Sequence, residues 1–442
     1  MGKRGEILIL GAGLTGLSAA YHLKKRWTIL EKEREVGGLA RSFAKEGFTF
    51  DIAGHWLHLR NKYIKGWITR LMGDELYTIG RRAHVFSNGV FSDYPYQINS
   101  YGLPPDIIAE NLLGFFEARM RAASGKPAPP KNFADWILQN LGAGFAKNFM
   151  FPFNEKLWRT KLNKISAVWC DRFVPKPSPK EVIEGALFSR QYLGGYNATF
   201  SYPKRGGIAR LPQAITSSLR NGQLLLNMPC VGINWREKTA YAEDGAEFKY
   251  DRLISTAPLK HLIGLLDNPP AEVKRAASLL KYASVLCFCL ASKRYDAPGS
   301  HWVYFPEKKF NFYRVGSFTA VNPEMSPKGC HSLYVEISHL GEKTPQDELS
   351  AVIDGLTRAG IIRGEDDIIF AEPINIECAY VIMDKNYERA TKTINRFLAR
   401  NLIISTGRYG GWTYSAMEDA LMDGKAVAEK IDEQGYNKRS AR

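Results

Sequence analysis

Ile7-Leu8-Ile9-Leu10-Gly11-Ala12-Gly13-Leu14-Thr15-Gly16-Leu17-Ser18-Ala19-Ala20 is the stretch that decides the fold. Ile7 to Leu10 form a short apolar run of buried-strand type, and three glycines follow at the spacing of a dinucleotide-binding turn. From Leu14 the pattern predicts a helix to about Lys25, then a second strand, Trp27-Thr28-Ile29-Leu30, that ends in Glu31. Each part has a physical task. Gly11 permits the tight turn, Gly13 lets backbone amides approach a diphosphate, and Gly16 lets helix and strand pack closely. The helix N-terminus offers partial positive charge to phosphates, and Glu31 accepts hydrogen bonds from ribose hydroxyls.

A lone Gly-x-Gly-x-x-Gly says little. Here it sits between a strand and a helix, with an acidic residue 20 positions after Gly11. Gly37-Gly38-Leu39-Ala40-Arg41 then adds a second glycine turn with an arginine. That pairing resembles the two-dinucleotide-domain flavoproteins, the amine oxidases and their relatives. It points to FAD rather than NAD as the bound cofactor, held by Gly11, Gly13, Gly16, Glu31, Gly38 and Arg41. A degenerate nucleotide fold without a ligand is the bland alternative.

The chain has 442 residues, of which 45% are apolar, enough for several hydrophobic cores and two or three domains. No apolar stretch approaches the roughly 20 residues that span a bilayer. Met1-Gly2-Lys3-Arg4-Gly5 leads into the first strand without a signal-peptide pattern, so a cytoplasmic location is expected. The six cysteines are scattered, and only Cys287 and Cys289 lie close. They fall in the apolar run 283–291, on one face of a strand, where buried structural thiols fit better than a metal or redox pair. No metal site is expected. Sixty Lys and Arg against 45 Asp and Glu give +15 and a pI of about 9.4. The basic residues come in widely spaced pairs and triplets, so nucleic acid is not the expected partner; an anionic small ligand explains the bias equally well, and a generally basic proteome explains it better still, so the charge decides little.

The expected fold class is α/β: a discontinuous Rossmann-like FAD-binding domain with a helical insert and an antiparallel β-sheet domain. Residues 1–102 carry the first part of the FAD domain. Residues 103–190 read as the helical insert, with Pro104-Pro105-Asp106 starting a helix and 132–140 and 144–149 continuing the pattern. Residues 191–280 return to the FAD domain, through apolar runs at 224–227, 230–235, 239–242 and 251–256. Alternation at 284–291, 302–305, 312–318 and 332–338 predicts an antiparallel substrate sheet within 281–398. Residues 399–442 close the FAD domain, with a helix from about Met417.

The segments outside the glycine fingerprint resemble the UDP-galactopyranose mutase family, especially its eukaryotic branch. Gly54-His55-Trp56 matches the turn that lies against the isoalloxazine. Arg81 and Tyr94-Pro95-Tyr96-Gln97 resemble a basic residue and a strand that meet cofactor and nucleotide. Phe149 to Trp158 resembles the uridine-binding helix, with Asn154 and Trp158 on the base. Trp169-Cys170-Asp171-Arg172 looks like a mobile flap, and the segment from Asn197 to Pro203 like a second one. Trp302-Val303-Tyr304 through Arg314, then Tyr380, then Gly407-Arg408 to Tyr414 resemble the diphosphate-binding segments.

The resemblance implies His55, Arg172 and Asn197 as catalytic residues. It adds Gly54, Arg81, Val231, Gly407 and Met417 to the cofactor set. Tyr94, Gln97, Asn154, Trp158, Trp302, Tyr304, Arg314, Tyr380, Arg408 and Tyr414 become substrate-binding. It further implies a pyranose–furanose interconversion of a nucleotide sugar, most directly UDP-galactose, through attack of reduced FAD N5 on the anomeric carbon. NAD(P)H is a candidate reductant.

The residue chemistry agrees with that reading. A diphosphate wants guanidinium forks, and a pyrimidine wants a flat apolar partner with amides at its edge. Taken singly, Trp158, Trp302 and His55 would read as core residues, and Arg314 or Arg408 as a surface charge. Their joint order along the chain carries the argument. Ala53, His58, Ala83 and Leu193 depart from the family pattern, so the nucleotide clamp matches better than the sugar pocket, and arabinose, N-acetylgalactosamine or another pyranose stands open beside galactose. The competing reading is an FAD-dependent oxidase or desaturase of the protoporphyrinogen oxidase or amine oxidase type, which does not require Trp158, Arg314 and Arg408. Of the two arginines, Arg314 reads as the cleaner one to test, because Arg408 follows a cofactor-domain strand.

Overall fold

The computed structural model describes residues 7–125, 128–189, 198–341 and 344–440, with backbone alone for 435–440. Asn197 and Leu193 lie outside the described residues. The first strand, Ile7–Leu10, is buried along its whole length and pairs in parallel with Trp27–Leu30 on one side and Arg252–Ser255 on the other. Gly222–Leu225 and Ile403–Ser405 complete a five-stranded parallel sheet. Its strands come from four separated stretches of chain. The helix Leu14–His22 ends three residues short of the expected Lys25, because Leu23 turns to extended backbone. The C-terminal helix, Met417–Ser440, lies against it, with Ser18 Oγ donating to the Leu421 carbonyl at 2.6 Å.

A seven-stranded sheet stands beside this. Its order is Ile368–Ile382, Lys281–Ser292, His331–His339, Arg314–Ser317, Trp302–Tyr304, Ala83–Ser87 and Val90–Asp93. All neighbours are antiparallel except Trp302–Tyr304 against Ala83–Ser87. The last two strands come from the stretch read as FAD domain over 1–102. They extend the seven-stranded sheet instead, because backbone pairing along an open edge is not visible in local alternation. One face of this sheet buries Leu286, Phe288, Leu290 and Val335 against the helix Pro345–Arg358. The other face, with Cys287, Cys289 and Tyr334, turns toward the cofactor half.

The helical insert holds Pro105–Ala123, Phe133–Asn140, Phe151–Trp158, Cys170–Phe173 and Pro179–Leu187. Asn132 caps the second of these, its Oδ1 accepting from the Asp135 amide at 2.9 Å. Ala146–Met150 is a π-helical turn leading into the helix Phe151–Trp158. Such turns are rare and cluster at functional sites. Tyr94 to Gln97 is not the expected strand: a cis Tyr94–Pro95 bond precedes a short helical turn over Tyr96–Ile98. Among the described residues no helix is long and apolar enough to cross a membrane.

Candidate active site

The glycine turns build a cradle from three stretches of chain. Gly11 adopts φ +97°, and a Cβ there would stand 2.4 Å from Thr256 Oγ1. A Cβ on Gly16 would stand 2.0 Å from the Gly11 carbonyl oxygen. Gly13 opens on empty space, with nothing within 4 Å of its missing Cβ, at the start of the helix Leu14–His22. The first amides of that helix have no carbonyl one turn behind them, which suits a phosphate. Gly37 bridges to Gly13, its amide donating to the Ala12 carbonyl at 2.8 Å, and Gly38 sits directly behind. Gly407, at φ +81°, would place a Cβ 2.5 Å from Thr15 Oγ1. Met417 starts the C-terminal helix next to this junction.

Glu31 is buried, and its carboxylate accepts from the Ala12 amide at 2.6 Å and the Glu33 amide at 3.0 Å. Both oxygens are thereby aimed, with lone pairs left for a ribose. Arg41 donates to Glu33 at 3.2 Å. Val231 is 53% exposed, on the strand Cys230–Asn234 that follows the turn whose Met228 amide reaches the Glu31 carbonyl. A crowded glycine turn with an open face over a helix N-terminus, and a carboxylate fixed by two amides, fits a dinucleotide. Gly16→Ala must separate two backbone segments. Overpacking of this kind costs about 1–3 kcal/mol, so FAD affinity should fall by roughly tenfold or more. Flavin absorbance per protein after dialysis measures it, and full flavin retention would contradict the cradle.

The Gly54-His55 turn is set by Tyr334 beneath it. A Cβ on Gly54 would lie 2.6 Å from the Tyr334 hydroxyl. Ala53 precedes it at φ +61°, a conformation that favours glycine. His55 is half-buried, with Nδ1 3.2 Å from the Ala53 carbonyl, so Nδ1 carries the hydrogen in the neutral ring and Nε2 is left as an acceptor. Burial, above all, lowers its pKa to about 4; the Ala53 carbonyl and Glu336 oppose the shift, and Arg314 and Arg408 add to it. Trp56 packs below, stacked on Trp302 at 5.9 Å between ring centres. Trp302 is 2% exposed and backs the turn.

Arg314, on a strand of the seven-stranded sheet, and Arg408, on the short helix Gly407–Gly410 after the last strand of the parallel sheet, meet around a group of tyrosines. Arg408 lies 5.6 Å from the Tyr380 ring and 5.1 Å from that of Tyr414. Its guanidinium donates to the Ala379 carbonyl at 3.0 Å and to the Ser415 carbonyl. Tyr380 shares a 3.4 Å hydroxyl contact with Tyr313, and Arg314 lies 5.9 Å from the Tyr313 ring. Tyr304 stands against Tyr94 at 4.9 Å, with Arg81 5.2 Å above the Tyr94 ring. Burial raises the Tyr94, Tyr304 and Tyr380 hydroxyl pKa values, so all three are neutral donors.

Arg314 is not a free fork. Its Nε and Nη2 donate to the two carboxylate oxygens of Glu336, each at 2.6 Å, across directly paired residues of neighbouring strands. Burial opposes the charge, but Glu336 outweighs it and holds the guanidinium well above its ordinary pKa. Glu336 is 1% exposed. The expectation that Arg314 is the cleaner arginine to test is therefore reversed, since removing it strands a buried carboxylate. A single acid inside the apolar strand Leu333-Tyr334-Val335-Glu336-Ile337 was the signal for this pair.

Asn154 is buried on the helix Phe151–Trp158, and its Nδ2 donates to the Met150 carbonyl at 2.8 Å. Gln97 Nε2 donates to the Pro175 carbonyl at 3.0 Å. Trp158 is 1% exposed, with Tyr380, Tyr414 and Trp169 around it at 5.4–5.7 Å. Trp169 and Phe173, at either end of the short helix Cys170–Phe173, cover this aromatic floor. Arg172 of that helix pairs with Asp419 at the start of the C-terminal helix. Lys156, which motif reading missed, is buried and donates to the carbonyls of Phe305, Glu307 and Phe312 at 2.6–3.1 Å. It pins the loop that delivers Arg314.

Residues 14–364 match the family described as flavin containing amine oxidoreductase. The chain belongs to that family. FAD is its cofactor, and the chain is a flavin-dependent enzyme. Within the flavin-containing amine oxidoreductases, its structure is similar to a crystal structure of reduced UDP-galactopyranose mutase, at TM-score 0.91 and 27% identity, over 98% of this chain and 94% of that one. The resemblance read from the sequence is borne out. Among curated relatives, the chain is 38% identical to a probable flavin-containing monoamine oxidase A of Dictyostelium discoideum over 63 residues, only 14% of either chain. It is 20% identical to coproporphyrinogen III oxidase of Bacillus subtilis over 83% of this chain and 85% of that protein.

Proposed function

We propose that this enzyme interconverts the pyranose and furanose forms of a nucleotide sugar, with UDP-galactose as the first candidate. One observation carries the reading: two arginines and a set of neutral tyrosine hydroxyls gather beside the Gly54-His55 turn, in a chain whose whole length follows the UDP-galactopyranose mutase fold. In this reading Arg408, Tyr380 and Tyr414 take the diphosphate, and Arg314 adds the part of its guanidinium that Glu336 leaves open. Charged donors and planar forks suit an oxyanion in a low-dielectric site. Asn154 and Gln97 meet the base edge beside Trp158. His55, neutral, brings no charge of its own to the flavin face and offers Nε2 as an acceptor. Arg172, Asn197, Arg81, Val231 and the remaining site residues keep the roles that the family resemblance gives them.

When bound and reduced, FAD supplies an electron-rich N5 as the nucleophile for the anomeric carbon. The chain's own work is to hold the leaving diphosphate near that position, orient the sugar and exclude water while the Trp169–Phe173 flap is closed. The similarity to coproporphyrinogen III oxidase favours an oxidase as the second reading. The two arginines argue against an amine or a hydrocarbon substrate, which gains nothing from guanidinium groups; a porphyrinogen's carboxylates would use them, and the assay below separates that reading from the mutase one. The test is anaerobic incubation of dithionite-reduced enzyme with UDP-galactopyranose, followed by chromatography. Furanose product should form with no reductant consumed per turnover. Equal rates with oxidised enzyme, or stoichiometric peroxide from an amine or porphyrinogen, would replace the mutase reading with the oxidase one.

A further inference from the structure

Away from the flavin and nucleotide residues, the structure holds a cavity of about 1470 Å³, beyond the roughly 300–1,000 Å³ of common ligand pockets. It lies between the chain just after the helix Phe151–Trp158, the start of the strand Lys281–Ser292, and the start of the helix Tyr387–Arg400. No residue assigned above to FAD, nucleotide or sugar lines it. Ser284 and His339, directly paired across two strands, stand in its wall, on the sheet face opposite Glu336.

Its charge is one-sided. Seven basic side chains line it against three acidic ones. Two of those acids are already engaged: Asp384 with Lys281 at 3.0 Å, and Glu377 with His261 at 3.2 Å and the Tyr282 hydroxyl at 2.8 Å. Lys161 is paired outward with Glu155 at 2.9 Å. Lys131, Arg159, Lys164, Lys260 and Lys385 have no carboxylate partner among the described residues. Surface lysines are usually just solvated, but these five arrive from four separate stretches of chain and face one space. Arg159 does so from a left-handed backbone, φ +52°, that a non-glycine residue adopts at a cost. The first residues of the 14-residue helix Tyr387–Arg400 also border the cavity, where Glu388 in the first turn, the third of the acids, and the Tyr387 amide, bonded to the Asp384 carbonyl at 3.0 Å, leave the positive end of the helix largely matched.

We infer that this cavity is a second ligand site, for a small anion carrying two or more phosphate groups. Mutual repulsion among five unpaired cations is relieved by such a ligand, and its several charged oxygens match donors spread over a wide pocket better than one phosphate does. The inference does not depend on which sugar, or which reaction, the flavin site serves.

Inorganic tripolyphosphate is the probe. FAD-loaded protein carrying Arg408→Ala, which weakens the nucleotide site, should still bind one equivalent in a calorimetric titration, more weakly at higher salt, and the pocket variants are made in that background. The variant Lys164→Gln/Lys385→Gln should bind it at least about tenfold more weakly, with unchanged flavin content. Lys392→Gln, on the exposed face of the helix Tyr387–Arg400, should bind as wild type. If the double variant loses flavin, Lys385→Gln alone is used, with a loss of several-fold expected. Loss of tripolyphosphate binding in Arg408→Ala, undiminished binding by the pocket variants, or an equal loss in Lys392→Gln would each overturn the assignment.

Discussion

Glu336→Ala is expected to destabilise the fold by about 3–5 kcal/mol, the loss that follows when one partner of a buried ion pair is removed and the other stays charged. Arg314 is left with no counter-charge at 2.6 Å, in a space already walled by Tyr313 and Tyr334. Arg314→Ala should be nearly as costly, because it strands a carboxylate that is 1% exposed. Glu336→Gln keeps an acceptor for Nε and should lose less. The double variant Glu336→Leu/Arg314→Met should recover much of the loss, since hydrophobic residues of similar volume often replace a buried pair without cost. Thermal melting of the FAD-loaded proteins, read as a double-mutant cycle, measures the coupling. Single variants that melt with wild type would mean that the pair adds nothing to stability.

Arg408→Ala is expected to weaken UDP binding by at least about tenfold, with FAD retained. Arg408 is held by two backbone carbonyls and flanked by Tyr380, Tyr409 and Tyr414, and no carboxylate neutralises it among the described residues. Its charge is therefore available to a diphosphate, whereas that of Arg314 is largely matched by Glu336. Truncating one partner of a buried, charged hydrogen bond costs roughly 2–5 kcal/mol, and each ~1.4 kcal/mol is tenfold in affinity. Lysine at this position should rescue only part of the loss, because the point charge cannot reach two oxygens as a planar fork does. Flavin-fluorescence titration of the reduced protein with UDP gives the affinities. Wild-type UDP binding by a folded, yellow Arg408→Ala protein would remove the main support for the nucleotide-sugar reading.

The cofactor half was legible from local sequence. Ile7 to Gly16, Glu31 and Gly37–Gly38 carry it because a phosphate-binding turn is built largely from neighbours in the chain, as where Gly16 answers the Gly11 carbonyl; that Thr256 presses on Gly11 from a distant segment was not legible there. The sheet runs at 281–292 and 331–339 were legible for a similar reason: alternation reports which face is buried. Tertiary structure alone decided the rest. Residues 83–93 join the seven-stranded sheet, since edge pairing leaves no mark on the strand that is added. Arg314 and Glu336 are 22 positions apart and meet only through strand register, so motif reading saw the arginine and missed the acid that consumes most of its charge. Trp169 closing over Trp158, and Lys156 holding three carbonyls of a distant loop, depend on packing between segments that have no reason to resemble one another. The basic cavity was invisible for the same reason: its lysines lie in separate stretches of chain, each unremarkable alone, and only the fold makes their charges act together.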